Sequence, residues 1–337
     1  MANLQSLIAQ VAKLPTETSR KVASLVGAIV GDAACLHLEW VYDQDKIPKI
    51  VPEGESPAFW PESHCPFFSL PNGQVSCYAD EAIQVLNVMD ANDGKFDQSK
   101  VIEHYLKYFG DASSPYQVAK DKRKDKKYPI EGPWIQGALI SMIDRWDAGI
   151  KPPGSDDARE HDGLTTALPL IIQKSPSIDF KDLKPAYTIM TQDPDAIEHH
   201  NAEAYLIAQF IKGSKNPLGN TKEKFFENKK ICKEIEAVEK GKADGKSAKD
   251  LVKEFGMACP MPGSFQSSLV SIIGAKSYQE AICETILCAG DSCSRANLIG
   301  ACLGAKFGIQ GIPGAWMSKV DGIEGIIEKS IKCFTRK

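Results

Sequence analysis

Between Val22 and Leu36 the apolar residues Val22, Leu25, Val26, Ile29, Val30, Ala33 and Leu36 recur at three- and four-residue steps. That is the period of one helical stripe, and it predicts a helix over about 19–36. Thr16, Thr18 and Ser19, just after Pro15, are its candidate caps. From Pro48 to Pro71 prolines break every helical register, because each removes a donor and clashes with the preceding turn. Asn72-Gly73 reads as a turn. Helical spacing returns at Ala82, Val85, Leu86 and Met89, stops at Asn92-Asp93-Gly94, and resumes from Val101 to Phe109. Trp134 to Trp146 and Leu164 to Ile172 read as helices, and Pro194 opens another that carries Ala196, Ile197, Ala204, Leu206, Ile207 and Phe210. The last third is apolar again at Leu269–Ile273, Ala281–Leu287 and Leu298–Phe307. There Gly300, Gly304 and Gly308, with Ala301 and Ala305, stand four apart, which predicts a helix that another backbone approaches closely.

Period-2 strands are scarce and no repeat of 20–50 residues stands out. The expected fold is all-α, a compact multi-helix single domain over residues 1–337. A Lys/Glu-rich stretch at about 213–253 has few apolar residues to bury and reads as an exposed helical excursion. The mostly basic run 120–127 reads as a solvated loop.

Composition narrows the function classes. Forty Lys+Arg against 44 Asp+Glu give a formal charge of −4, which excludes a generally basic nucleic-acid binder. With 43% hydrophobic residues the chain is too apolar to be disordered. No uninterrupted apolar run reaches the ~18 residues of a membrane span, so neither a nucleic acid nor a membrane is an expected partner. The opening Met1-Ala2-Asn3-Leu4-Gln5 lacks the basic start and apolar block of a signal peptide. The ten cysteines include no CxxC pair, and Cys283, Cys288 and Cys293 are spaced by five, which suits no zinc knuckle. Reduced thiols in the cytoplasm are expected.

The acids that sit awkwardly in apolar surroundings carry the candidate chemistry. Asp32 stands seven residues after Leu25 on the apolar stripe, and Glu39 seven after Asp32, on one face if the helix lasts that long. A carboxylate there is costly unless paired, protonated or bound to a metal. Asp80-Glu81 stands ahead of one apolar helix, and Asp291, with Ser292 and Ser294, opens the Gly-rich one. Asp80 and Asp291 read either as plain N-caps or as ligands. His199-His200 with Glu203 reads as an exposed helix face rather than a metal site, since adjacent histidines point apart and HExxH is absent. Cys293 reads as a buried inert thiol, because nothing places a histidine beside it.

Gly27-Ala28-Ile29-Val30-Gly31-Asp32-Ala33 followed by Glu39 resembles the opening motif of the ADP-ribosylglycohydrolase family. Tyr78-Ala79-Asp80-Glu81-Ala82 falls where that family carries Thr-Asp-Asp, and Gly290-Asp291-Ser292-Cys293-Ser294 where it carries Gly-Asp-x-Asp-Thr. Ile299-Gly300-Ala301, Gly304-Ala305, Ile312-Pro313 and Trp316 continue the likeness. The resemblance implies an all-α domain whose active members bind two Mg²⁺ ions between these segments and hydrolyse the bond linking ADP-ribose to an acceptor.

It also implies a metal set here of Glu39, Asp80, Glu81, Asp291 and Ser294, with Ala79 and Cys293 in the places of a Thr and an Asp ligand. Magnesium takes hard oxygens in near-octahedral array, and a thiol is the wrong partner. Four of five carboxylates remain. The expectation is a vestigial site at Asp80, Glu81 and Asp291 with no catalytic residue and no cofactor, Mg²⁺ at a weak residual site being the exception. Gln192 beside Thr191 stands where the family often has His, and Cys35 and His37 depart from the opening motif. Within the family this pattern resembles the J-series lens crystallins of cubozoan jellyfish. That implies an abundant cytoplasmic lens-cell protein, monomeric and without efficient catalysis. The alternatives are a divergent Mg²⁺-dependent hydrolase of ADP-ribosyl bonds and a module that binds ADP-ribose or another nucleotide without cleaving it.

Overall fold

The computed structural model describes residues 2–336. Six helices come first: α1 (Ala2–Ala12), α2 (Thr16–Cys35), the one-turn α3 (Ile47–Ile50), α4 (Cys77–Ala91), α5 (Gln98–Gly110) and α6 (Pro115–Lys122). The middle holds α7 (Gly137–Asp147), α8 (Asp162–Lys174), α9 (Phe180–Met190) and α10 (Pro194–Lys212). Three shorter helices follow, α11 (Pro217–Lys224), α12 (Lys229–Ala243) and α13 (Ala248–Phe255). The chain closes with α14 (Gly263–Ile272), α15 (Tyr278–Leu287), α16 (Ser292–Phe307), the one-turn α17 (Gly314–Met317) and α18 (Ile323–Thr335). Among the described residues the named strands are β1 (Phe68–Ser69) and β2 (Ile130–Glu131), a parallel pair with Phe68 opposite Ile130. One apolar core runs from Leu4 to Phe334, so the all-α single domain expected from the spacing is what forms.

The centre of the fold is the contact between α2 and α16. A side chain at Gly27 or Gly300 would run into the other's backbone carbonyl, and one at Gly304 into that of Ala23. The two helices therefore pack backbone on backbone, as the small-residue spacing of α16 predicts. Ser24 Oγ donates to Ala301 O at 2.9 Å, which ties the pair together where side chains are missing, and Tyr278 Oη of α15 donates to Gly27 O at 2.6 Å.

Several local expectations are corrected. The stretch Thr16–Leu38 is long and apolar enough to cross a membrane by length and composition, although 94% of its apolar window is buried inside the protein. The regular helix ends at Cys35 and a 3-10 turn (Leu36–Leu38) follows, so Glu39 does not lie on the same helix as Asp32. The basic run is no loop: it falls in α6 and a 3-10 turn (Arg123–Asp125), and the Arg123 guanidinium sits 3.4 Å above the Trp134 ring. The Lys/Glu-rich stretch is helical, but it packs rather than projects. Ile231, Ile235, Val238, Leu251 and Val252 are fully buried, because its few apolar residues share one face of α12 and α13. Prolines at 169 and 185 lie inside α8 and α9, where tertiary packing overrides their usual role as breakers. All ten cysteines are free thiols.

Candidate functional site

Asp32 sits on the buried stripe of α2, and its carboxylate is spent on protein donors. Ser76 gives it both its N–H (2.7 Å) and its hydroxyl (2.6 Å), and Asn297 Nδ2 adds a third bond at 3.1 Å. Burial pushes its carboxyl up to about 7 against those three donors. The residue joins α2, the start of α4 and α16 in one polar knot.

Glu39 lies on extended backbone after the 3-10 turn and reaches the N-terminus of α16. Its Oε2 accepts from Ser292 Oγ (2.9 Å) and Cys293 N (2.8 Å), satisfying orphan donors of that helix. Burial and the neighbouring Asp291 charge push the Glu39 carboxyl well up, and its Oε1 is buried without a hydrogen-bond partner. Asp291 is the N-cap of α16, as one reading of its position proposed, and accepts from Ser294 N at 3.1 Å. Burial alone would raise it, but the donors Glu39, Trp40 and Ser294 hold it below the ordinary carboxylate value. Its other oxygen accepts from Tyr78 Oη at 3.2 Å. Burial and then the Asp291 charge push the Tyr78 phenol far up, so it stays a neutral donor.

The remaining groups of this segment turn inward. Ser294 Oγ donates to the Asp291 carbonyl of its own turn, at 3.2 Å. Cys293 Sγ, fully buried, donates to Asp32 O at 3.5 Å. Burial, with Glu39 and Asp32 nearby, pushes this thiol well up, which makes it inert as expected. Trp40, packed edge-on by Phe67, Phe68 and Trp134 at centroid distances of 5.4–5.6 Å, roofs the cluster and leaves Glu39 and Asp291 essentially without solvent contact.

Asp80 and Glu81 are neighbours in sequence and diverge by about 100° around α4. Glu81 points into the core. Its Oε2 accepts from Thr165 Oγ1 at 2.7 Å, and its carboxyl lies beside that of Asp162. Burial and the Asp162 charge push Glu81 well up, while burial and then Glu160 push Asp162 up to about 7. Both Asp162 oxygens are buried without a hydrogen-bond partner. Asp80 points the other way: Oδ2 accepts from Tyr116 Oη at 2.6 Å and Oδ1 from Gln84 Nε2 at 2.8 Å. It is not a cap, since Ser76 holds that position on α4. The structure therefore brings Glu39, Asp291 and Ser294 together, seats Glu81 with Asp162, and turns Asp80 away. The α4 residue that meets Asp291 is Tyr78.

The sequence profile of ADP-ribosylglycohydrolase matches residues 14–336. The chain belongs to the ADP-ribosylglycohydrolase family. Crystallin J1A of Tripedalia cystophora is 26% identical over 318 residues, which is 92% of this chain and 94% of that protein. Crystallin J1B of the same organism is 24% identical over 302 residues, covering 89% and 91%. A solved structure titled "ADP-ribosylglycohydrolase-related protein complex" superposes with a TM-score of 0.65 over 96% of this chain and 99% of that one, at 16% identity. That likeness is one of fold.

A pair of magnesium ions requires several ionised oxygens turned toward one point. Among the described residues of this family member, no three His, Cys, Asp or Glu side chains are placed to hold a metal ion. Both Asp291 oxygens are engaged by protein donors and Asp80 faces another side of α4, while Glu39 Oε1 is buried without a partner.

Three buried polar groups differ from, or stand outside, the sequence expectations. His199, His200 and Glu203 are buried, not on an exposed face. Glu203 accepts from His161 Nε2 (2.7 Å) and His200 Nδ1 (2.9 Å). Burial would raise Glu203, but the two histidines hold it down to about 2. Its place beside Ala202 and Ala204 in an apolar helix was the available signal. Arg295 is fully buried on α16 and donates to the carbonyls of Met257, Thr285 and Ala289, pinning the turn that delivers Asp291. Asp162, between His161 and Gly163 at the head of an apolar run, was equally visible and was passed over.

Proposed function

We propose that this chain is a structural, crystallin-like protein on an ADP-ribosylglycohydrolase scaffold, without the family's magnesium-dependent hydrolysis. The observation that carries the reading is the Tyr78–Asp291 hydrogen bond. A neutral phenol occupies the approach to the carboxylate that a hard cation would need. Metal-assisted hydrolysis depends on an ion that lowers the pKa of a bound water and aims it. Here the Asp291 carboxylate stays ionised and is met by protein donors instead. The similarity to Crystallin J1A and Crystallin J1B supports the lens-type role, and with it an abundant cytoplasmic protein. Asp32 and Asp291, whose oxygens all accept from protein donors, suit such a role, since a bonded carboxylate needs no ligand to be stable.

The test is incubation of the full chain with Mg²⁺ and ADP-ribosylated arginine, ADP-ribosylated serine and O-acetyl-ADP-ribose. No release of ADP-ribose above the buffer rate is expected. Ordinary turnover on any of the three, abolished by Asp291→Ala, overturns the reading.

A further inference from the structure

The face of α4 turned away from Asp291 opens on a cleft of about 960 Å³, within the size range of small-molecule sites. Its floor is Asp80, Ile83, Gln84 and Asn87, at the i, i+3, i+4, i+7 spacing that places side chains on one helix face. Its walls come from α5, from the start of α6 and from α18.

The polar floor is a directed chain. Lys329 Nζ donates to Asn87 Oδ1 (2.6 Å), Asn87 Nδ2 to Gln84 Oε1 (3.1 Å), and Gln84 Nε2 to Asp80 Oδ1 (2.8 Å). Tyr116 donates to Asp80 from the other side. Gln84 Oε1 also meets His104 Nε2 at 2.9 Å, so that nitrogen carries a hydrogen. Burial and the Lys107 charge lower the His104 pKa and keep it neutral, which leaves Nδ1 as a lone-pair acceptor. Tyr108 stacks on the His104 ring at an interplanar angle of 18° and is 39% exposed. The cleft thus offers carboxylate and imidazole acceptors, amide and ammonium donors, and one aromatic face.

Charge narrows the ligand. Asp80, Asp111 and Asp321 face Lys107 and Lys329, so the lining nearly cancels. The helix N-termini of α6 and α18 open here, and each already has an acid beside it, Asp111 and Asp321, which offsets the dipole that would otherwise attract an anion.

We propose that this cleft binds a small, neutral, polyhydroxylated molecule, its hydroxyls bridging Asp80, His104 and Asn87 and its apolar face resting on Tyr108. A nucleoside diphosphate would meet three carboxylates without an arginine to pair it. A cation would meet two lysines. The proposal concerns the opposite face of α4 from the Asp291 cluster and does not depend on whether that cluster is catalytic.

The experiment is a methyl-labelled NMR titration of the full chain with D-glucose and, separately, myo-inositol. Polyols stabilise proteins generally through exclusion from the surface, so a thermal shift is not the readout. Saturable shifts are expected at Ile83 and Ile326, which line the cleft, with the core residues Ile29 and Ile299 unmoved by at least one of the two ligands. Tyr108→Ala, at a partly exposed position, should weaken binding at least tenfold. Asp80→Asn, which keeps an oxygen acceptor, should weaken it only a few-fold. Linear, unsaturating shifts with both polyols overturn the proposal. So does saturation by ADP-ribose or arginine in their place, or unchanged affinity in Tyr108→Ala.

Discussion

The two faces of α4 carry acidic residues one position apart and treat them in opposite ways. On the inner face Glu81 is fully buried and protonated, with Tyr78 and Ser76 bonding the acids of the neighbouring helices. On the outer face Asp80 accepts two hydrogen bonds and still borders an open cleft. The difference teaches that an acidic motif in sequence is not a ligand set. What decides is whether the oxygens are left for an outside partner: protein donors have taken both Asp291 oxygens, while Glu39 Oε1 and both Asp162 oxygens have none.

Removing an inner acid should cost far more than removing the outer one. Asp32→Ala strands Ser76 N, Ser76 Oγ and Asn297 Nδ2 in the core and should lower stability by about 3 kcal/mol. The shift is readable as a lower urea midpoint at unchanged slope. Tyr78→Phe removes a buried donor to an ionised carboxylate and should cost about 2 kcal/mol in the same assay.

The next contrast is in pH. The folded pKa of Asp162, about 7, lies above its ordinary 3.8. The folded state therefore holds a proton that the unfolded state has released. That contribution is complete below about pH 4 and is lost as pH rises to about 7. Asp162→Asn does not titrate. Relative to the parent it should gain on the order of 3 kcal/mol between pH 4 and pH 7, a change followed by denaturation at a series of pH values. Smallest of all should be Asp80→Ala, at about 1 kcal/mol, because Asp80 is buried but borders the cleft, whose solvent can reach the two donors it leaves, against three stranded by Asp32→Ala. A loss there as large as that of Asp32→Ala would erase the distinction between the faces.

The fold was readable because its information is periodic. The α2 stripe, the four-residue spacing of glycines in α16 and the scarcity of alternating segments each say helix, and each says what the helix packs against. Asp291 and Glu39 were readable as a pair of special acids by their motif. Asp80 shares that motif, but about 100° of rotation per residue turns it to Tyr116 and Gln84: Tyr78 has the inward direction, and nothing in its own identity marks it as the group that meets Asp291. Glu203 with His161, and Asp162 with Glu81, join positions more than forty residues apart. Such pairings depend on how helices cross, which spacing within one helix does not encode.

The central claim is that the inner acids are closed by protein donors and do not seat hard cations. Calorimetric titration of the full chain with Mg²⁺ at neutral pH tests it most directly. The expected result is heat of dilution alone, with no saturable binding. Saturation at two ions per chain, lost in Asp291→Ala, would contradict it.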